Sequence, residues 1–85
     1  MKIFCDVTEV LITVNKTIDP IECSDDHSPH RNLKISGLPP GLIFDGKYIT
    51  GSTSMEEFNH RTILFYEDDF CVIRFNSLDS LESQP

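Results

Sequence analysis

The stretch from Ile35 to Gly51, ISGLPPGLIFDGKYITG, holds all four of the chain's glycines and two of its five prolines. Residues that disfavour helix interiors and turn the backbone, set around two short apolar runs, leave strands joined by tight turns as the folded option. Leu42 and Phe44 share one face of GLIF, and KYIT supplies a return strand. Asp45-Gly46 between them tolerates positive φ and favours the two-residue turns whose twist suits a hairpin. Pro39 and Pro40 fix φ and withhold two donors, which sends the chain across a sheet edge or between sheets. Gly37 and Gly41 permit tight backbone on either side of this crossing, while Leu38 and Leu42 anchor it in a core.

The same period of two recurs elsewhere, and no segment repeats the apolar spacing of an amphipathic helix beyond two turns. In EVLITV, Val10, Ile12 and Val14 fall on one face, and IEC continues the alternation after Pro20. In NLKIS, Leu33 and Ile35 point one way, with Lys34 and Ser36 opposite. RTILFYE and FCVIRFN are the most β-prone runs, and Glu67-Asp68-Asp69 connects them as a second hairpin. Cys71, Ile73 and Phe75 are expected to face the core, leaving Phe70, Val72 and Arg74 outward. Ser24 to Arg31, SDDHSPHR, reads as a loop. Met55 to Phe58 has the pattern of one helical turn with Ser54 as N-cap. Six or seven short strands at this spacing predict an all-β antiparallel sandwich or small barrel, as residues 1–76 of a single domain, followed by a polar acidic tail over 77–85.

Eighty-five residues support one modest core. Fourteen acidic against seven basic side chains give a formal charge of −7, which repels phosphate backbones and anionic lipid and so argues against nucleic-acid or membrane partners. No apolar run is long enough to insert in a bilayer. Asp6 and Glu9 interrupt any signal-peptide core near the N-terminus. An intracellular location is expected if Met1 is the natural start, and an extracellular or cell-surface one if the domain is excised from a larger protein. Cys5, Cys23 and Cys71, an odd number at wide spacing, read as reduced, with a Cys23–Cys71 bridge as the open alternative.

SGLPPGLIFD followed by ITG resembles the signature of an immunoglobulin-like domain family, the cadherin-like modules related to those of dystroglycan. In that family a strand ending in Ser-Gly-Leu-Pro-Pro-Gly-Leu runs into a Phe-Asp turn and then Ile-Ser-Gly. The matching positions are Ser36, Gly37, Leu38, Pro39, Pro40, Gly41 and Leu42, then Phe44-Asp45, then Ile49-Thr50-Gly51. The resemblance extends weakly from about Val10 to Phe75 and departs at Gly51-Ser52-Thr53, where the family continues Gly-Thr-Pro. It implies an immunoglobulin-like sandwich of about seven strands that works in protein binding or cell adhesion, as a unit of a larger surface protein or a subunit of an assembly.

Chemistry-bearing side chains gather in CSDDHSPH. Cys23, His27 and His30 offer three zinc ligands, with an alternative function as a metal- or ligand-binding loop. The paired aspartates Asp25-Asp26 and Asp68-Asp69 offer part of a calcium cage. Against both stands the reading of acidic, solvated loops, and neither ion is assigned as a cofactor. No cysteine or histidine carries a nucleophile signature, and no glycine-rich loop precedes a helix, so the chain is read as non-catalytic. A chain this small also leaves little room for a sizeable pocket. The Asn15-Lys16-Thr17 sequon matters only in a secreted chain. The expected partner is a protein, and the candidate contact surface is Phe70, Val72 and Arg74, with a second buried face as the alternative.

Overall fold

The computed structural model describes residues 3–26 and 31–78. The period of two in the sequence becomes eight strands: β1 (Ile3–Cys5), β2 (Glu9–Ile12), β3 (Ile21–Asp25), β4 (Lys34–Ser36), β5 (Leu42–Phe44), β6 (Tyr48–Gly51), β7 (Asn59–Tyr66) and β8 (Asp69–Ser77). They form two four-stranded sheets in the orders β1-β3-β6-β5 and β2-β8-β7-β4. All pairings are antiparallel except β2 with β8, which run parallel. The expected all-β two-sheet architecture is therefore present, with one strand more than the larger of the expected numbers. The addition is β1, too short to show an alternation.

Alternation also places the core. Ile12, Leu64, Ile73 and Phe75 come from one sheet and Ile3, Ile21, Cys23, Leu42 and Ile49 from the other, all buried. On β8 the inward set is Cys71, Ile73, Phe75 and Ser77, as the sequence pattern predicts for the first three. Ser77 belongs to the strand and not to the tail. Its hydroxyl accepts from the Phe58 N–H at 2.9 Å, and its own N–H donates to the Phe58 carbonyl. Residues 79–85, which hold the rest of the expected tail, lie outside the described residues.

The Ile35–Gly51 stretch performs the crossing its prolines require. β4 lies at the edge of one sheet and β5 at the edge of the other, with fully buried Pro39 between them. Leu42 opposes Gly51 across β5 and β6. At φ 110°, a Cβ on Gly51 would stand 2.5 Å from the Gly41 carbonyl oxygen, so these two backbones pack only without a side chain there.

Three local expectations are corrected. The first hairpin turns on Gly46-Lys47 and not on Asp45-Gly46, because Asp45 closes the turn: its N–H donates to the Tyr48 carbonyl. Its Oδ1 accepts from the Tyr48 N–H at 2.7 Å and the Lys47 N–H at 2.9 Å. The second hairpin loop is Glu67-Asp68, since Asp69 already pairs with Tyr66. Met55 to Phe58 form no helical turn. Burial of Phe58 and a 3.1 Å bond from the Met55 N–H to the Thr53 hydroxyl hold that segment extended or bent.

The donors aimed at Asp45 favour its charged form. The Tyr48 amide, then the Lys47 amide, lower its pKa below the ordinary aspartate value. A carboxylate whose folded pKa is depressed stabilises the fold above its unfolded pKa and loses that contribution as pH falls through the folded one. The melting-temperature difference between wild type and Asp45→Asn is therefore expected to be constant near neutrality and to shrink as pH drops below about 4. A difference that stays the same down to pH ~2 contradicts this role for the carboxylate.

Candidate functional site

Two features concentrate chemistry: an ion cluster at one end of the sandwich, and the outer face of the β2-β8-β7-β4 sheet.

The cluster begins with alternation in IECSD. Ile21, Cys23 and Asp25 all point inward and are buried, so a carboxylate enters the core at the end of β3. A buried carboxylate needs a cationic partner. Arg31 supplies it, with Nε 2.9 Å from Asp25 Oδ2, while its Nη1 lies 2.9 Å from Asp69 Oδ2. Asp25 belongs to one sheet and Asp69 to the other, so one guanidinium ties the two together. Arg31 also lies 4.8 Å above the centroid of the Tyr66 ring. Burial opposes the Arg31 charge, and the hydrogen bonds to Asp25 and Asp69 more than offset it, so its pKa is raised.

This corrects the reading of SDDHSPHR as loop throughout, because Ser24 and Asp25 are strand residues. It also decides how Asp69 is used: its carboxylate is engaged by Arg31. Asp68 is exposed in the turn. The zinc candidates divide as well. Cys23 is bonded to Cys5, directly opposite it on the neighbouring antiparallel strand, while His27 and His30 lie outside the described residues. The pairing overturns both the expectation of three reduced cysteines and the Cys23–Cys71 alternative; Cys71 is the unpaired one. Among the described residues, no group of three or more His, Cys, Asp or Glu is placed to hold a metal ion.

The remaining nucleophile and base are apart. His60 opposes Phe75 and Cys71 opposes Leu64, four positions along β7 or about 13 Å at the rise of a strand. His60 instead meets Phe58 edge to face at 5.6 Å. A surface groove of about 600 Å³ runs beside β2 and the segments that flank it, larger than a chain of this size suggests. Its lining, which includes Asp6, Glu9, Lys16 and Asp19, contains neither histidine nor cysteine.

The outer face of the second sheet is set by β7 and β8. Phe70, Val72 and Arg74 point outward, with Phe70 64% exposed, so this surface is not a second buried face. Register adds partners that the sequence reading left out. Phe65 stands across from Phe70, Ile63 across from Val72 and Arg61 across from Arg74. On the other side of β7, Lys34 of β4 stands across from Phe65. Leu11 of β2, 54% exposed, stands on the same face beyond Arg74, level with Asn76. The alternation in RTILFYE carried this signal, since Arg61, Ile63 and Phe65 fall opposite the inward Thr62 and Leu64.

No family model matches the chain, and no curated protein or solved structure matches it.

Proposed function

We propose that this chain is a non-catalytic protein-binding module, an immunoglobulin-like sandwich that engages its partner through the outer face of the β2-β8-β7-β4 sheet. The observation that carries the contact surface is the block of Phe65, Phe70, Ile63 and Val72, paired across β7 and β8 on the side away from the core. Apolar side chains gathered on one exposed face favour an interaction surface over a solvated one. The strand order supports the immunoglobulin-like part. Named in chain order after the immunoglobulin strands, β1-β3-β6-β5 follows the order A-B-E-D, and β8-β7-β4 follows G-F-C. β2 then adds to that second sheet beside G. The SGLPPGL crossing lies where C passes to D.

The separation of His60 from Cys71 supports a non-catalytic role. The Cys5–Cys23 bond suits an oxidising compartment, which favours a unit of a secreted or surface protein over an intracellular subunit. No helix among the described residues is long and apolar enough to cross a membrane. Affinity capture from the native source tests the reading by comparing wild type with the double variant Phe70→Ser/Val72→Ser. A partner retained by wild type and lost by the variant, with the variant's melting temperature within a few degrees of wild type, is expected. Equal recovery by both proteins would remove this face from the account.

A further inference from the structure

Among the chain's seven basic side chains, Lys34, Arg61 and Arg74 stand on the outer face of the β2-β8-β7-β4 sheet. The chain as a whole carries a formal charge of −7. Within the four strands, Glu9 is the carboxylate on that face, in register with Arg74 across the parallel β2–β8 pair. Arg61 and Arg74 are both exposed and directly opposite one another, an arrangement that like charges disfavour. Neither takes part in an ion pair among the described residues, Glu9 included. They border a shallow depression of about 210 Å³ together with Thr8, Glu9 and Val72.

Ile63 and Val72 separate this arginine pair from the row that Lys34 forms with Phe65 and Phe70. Lys34 is level with Phe65 and Phe70, four residues along β7 from Arg61, which separates the two positive spots by about 13 Å. We infer that the partner presents an acidic protein segment, with apolar side chains at its centre for Phe65, Phe70, Ile63 and Val72 and carboxylates on either side for Lys34 and the Arg61–Arg74 pair. This rests on the reading of the face as a contact surface and names the chemistry of its occupant. A carboxylate between two guanidinium groups satisfies both forks and removes their mutual repulsion. The acidic remainder of the chain turns such a partner away from other approaches, so charge sets orientation as well as strength.

The test uses the isotopically labelled full chain and three capped peptides with the same apolar centre, flanked by glutamates, by serines or by lysines. Amide shifts on β7 and β8 locate binding, and their concentration dependence gives affinity. The glutamate peptide is expected to bind on this face more tightly than the serine peptide and to weaken as salt is raised. Arg61→Glu/Arg74→Glu should cost it about tenfold and reverse the preference toward the lysine peptide. Glutamate and serine peptides that bind this face equally overturn the acidic partner and leave the contact face standing. A glutamate peptide that binds elsewhere, or not at all, also overturns it. The contact face itself fails if Phe70→Ser/Val72→Ser retains the native partner.

Discussion

Replacing both Cys5 and Cys23 by alanine is expected to cost the fold about 3 kcal/mol, the loop-closure entropy of a bridge spanning 18 positions. For a domain of this length that lowers the melting temperature by roughly 12–25 °C. The position of the bond explains why the loss concentrates at one place. β1 is a three-residue strand at a sheet edge, hydrogen-bonded to β3 alone, and buried Ile3 is its main contribution to the core. Without the covalent link its hold on the sheet rests on the β3 pairing and on Ile3. Amide exchange should therefore accelerate first at residues 3–5 and at their β3 partners in the double variant. A melting temperature within about 3 °C of wild type would show that the bond contributes little to the fold. Replacing Cys71, the unpaired cysteine on the inward face of β8, removes no cross-link and serves as the control.

The second large effect contrasts two phenylalanines on one strand. Phe75 has no exposed surface and is the largest fully buried side chain, whereas Phe70 is 64% exposed. Phe75→Ala removes ring contacts that the packed sandwich refills poorly and is expected to cost about 3–5 kcal/mol. Phe70→Ala gives up a cross-strand pairing with Phe65 and should cost less than about 1 kcal/mol. Chemical denaturation of the two variants measures both. Comparable losses would mean that the inward and outward faces of β8 are assigned wrongly, and with them the contact surface.

The face of β8 was readable in advance because a strand alternates with period two, so one core residue fixes the rest. The hairpins were readable for a related reason, although Asp45 closes its turn with a side chain and moves the loop by one residue. Other features depend on what lies far away in sequence. Three cysteines do not state their pairing, and Cys5 meets Cys23 only because β1 joins β3 as an edge strand too short to leave a pattern. Asp25 sits in a polar run that looks like loop, and its burial becomes intelligible once Arg31 and Asp69 close over it from other elements. Met55 to Phe58 has the local composition of a helical turn, but seating Phe58 in the core overrides that preference. Of the proposed contact face, alternation marks Phe70, Val72 and Arg74 on β8 and equally Arg61, Ile63 and Phe65 on β7, while register shows which of them stand opposite one another.

Hydroxyl-radical footprinting of the chain, alone and bound to the partner that it captures, tests the contact face most directly. Phe4 and Ile43, 49% and 63% exposed on strands of the opposite sheet, provide internal controls. Partner binding is predicted to protect Phe65, Phe70 and Val72 and to leave Phe4 and Ile43 as reactive as before. Protection of Phe4 and Ile43 with Phe70 unchanged would contradict the account and move the contact to the other side of the sandwich.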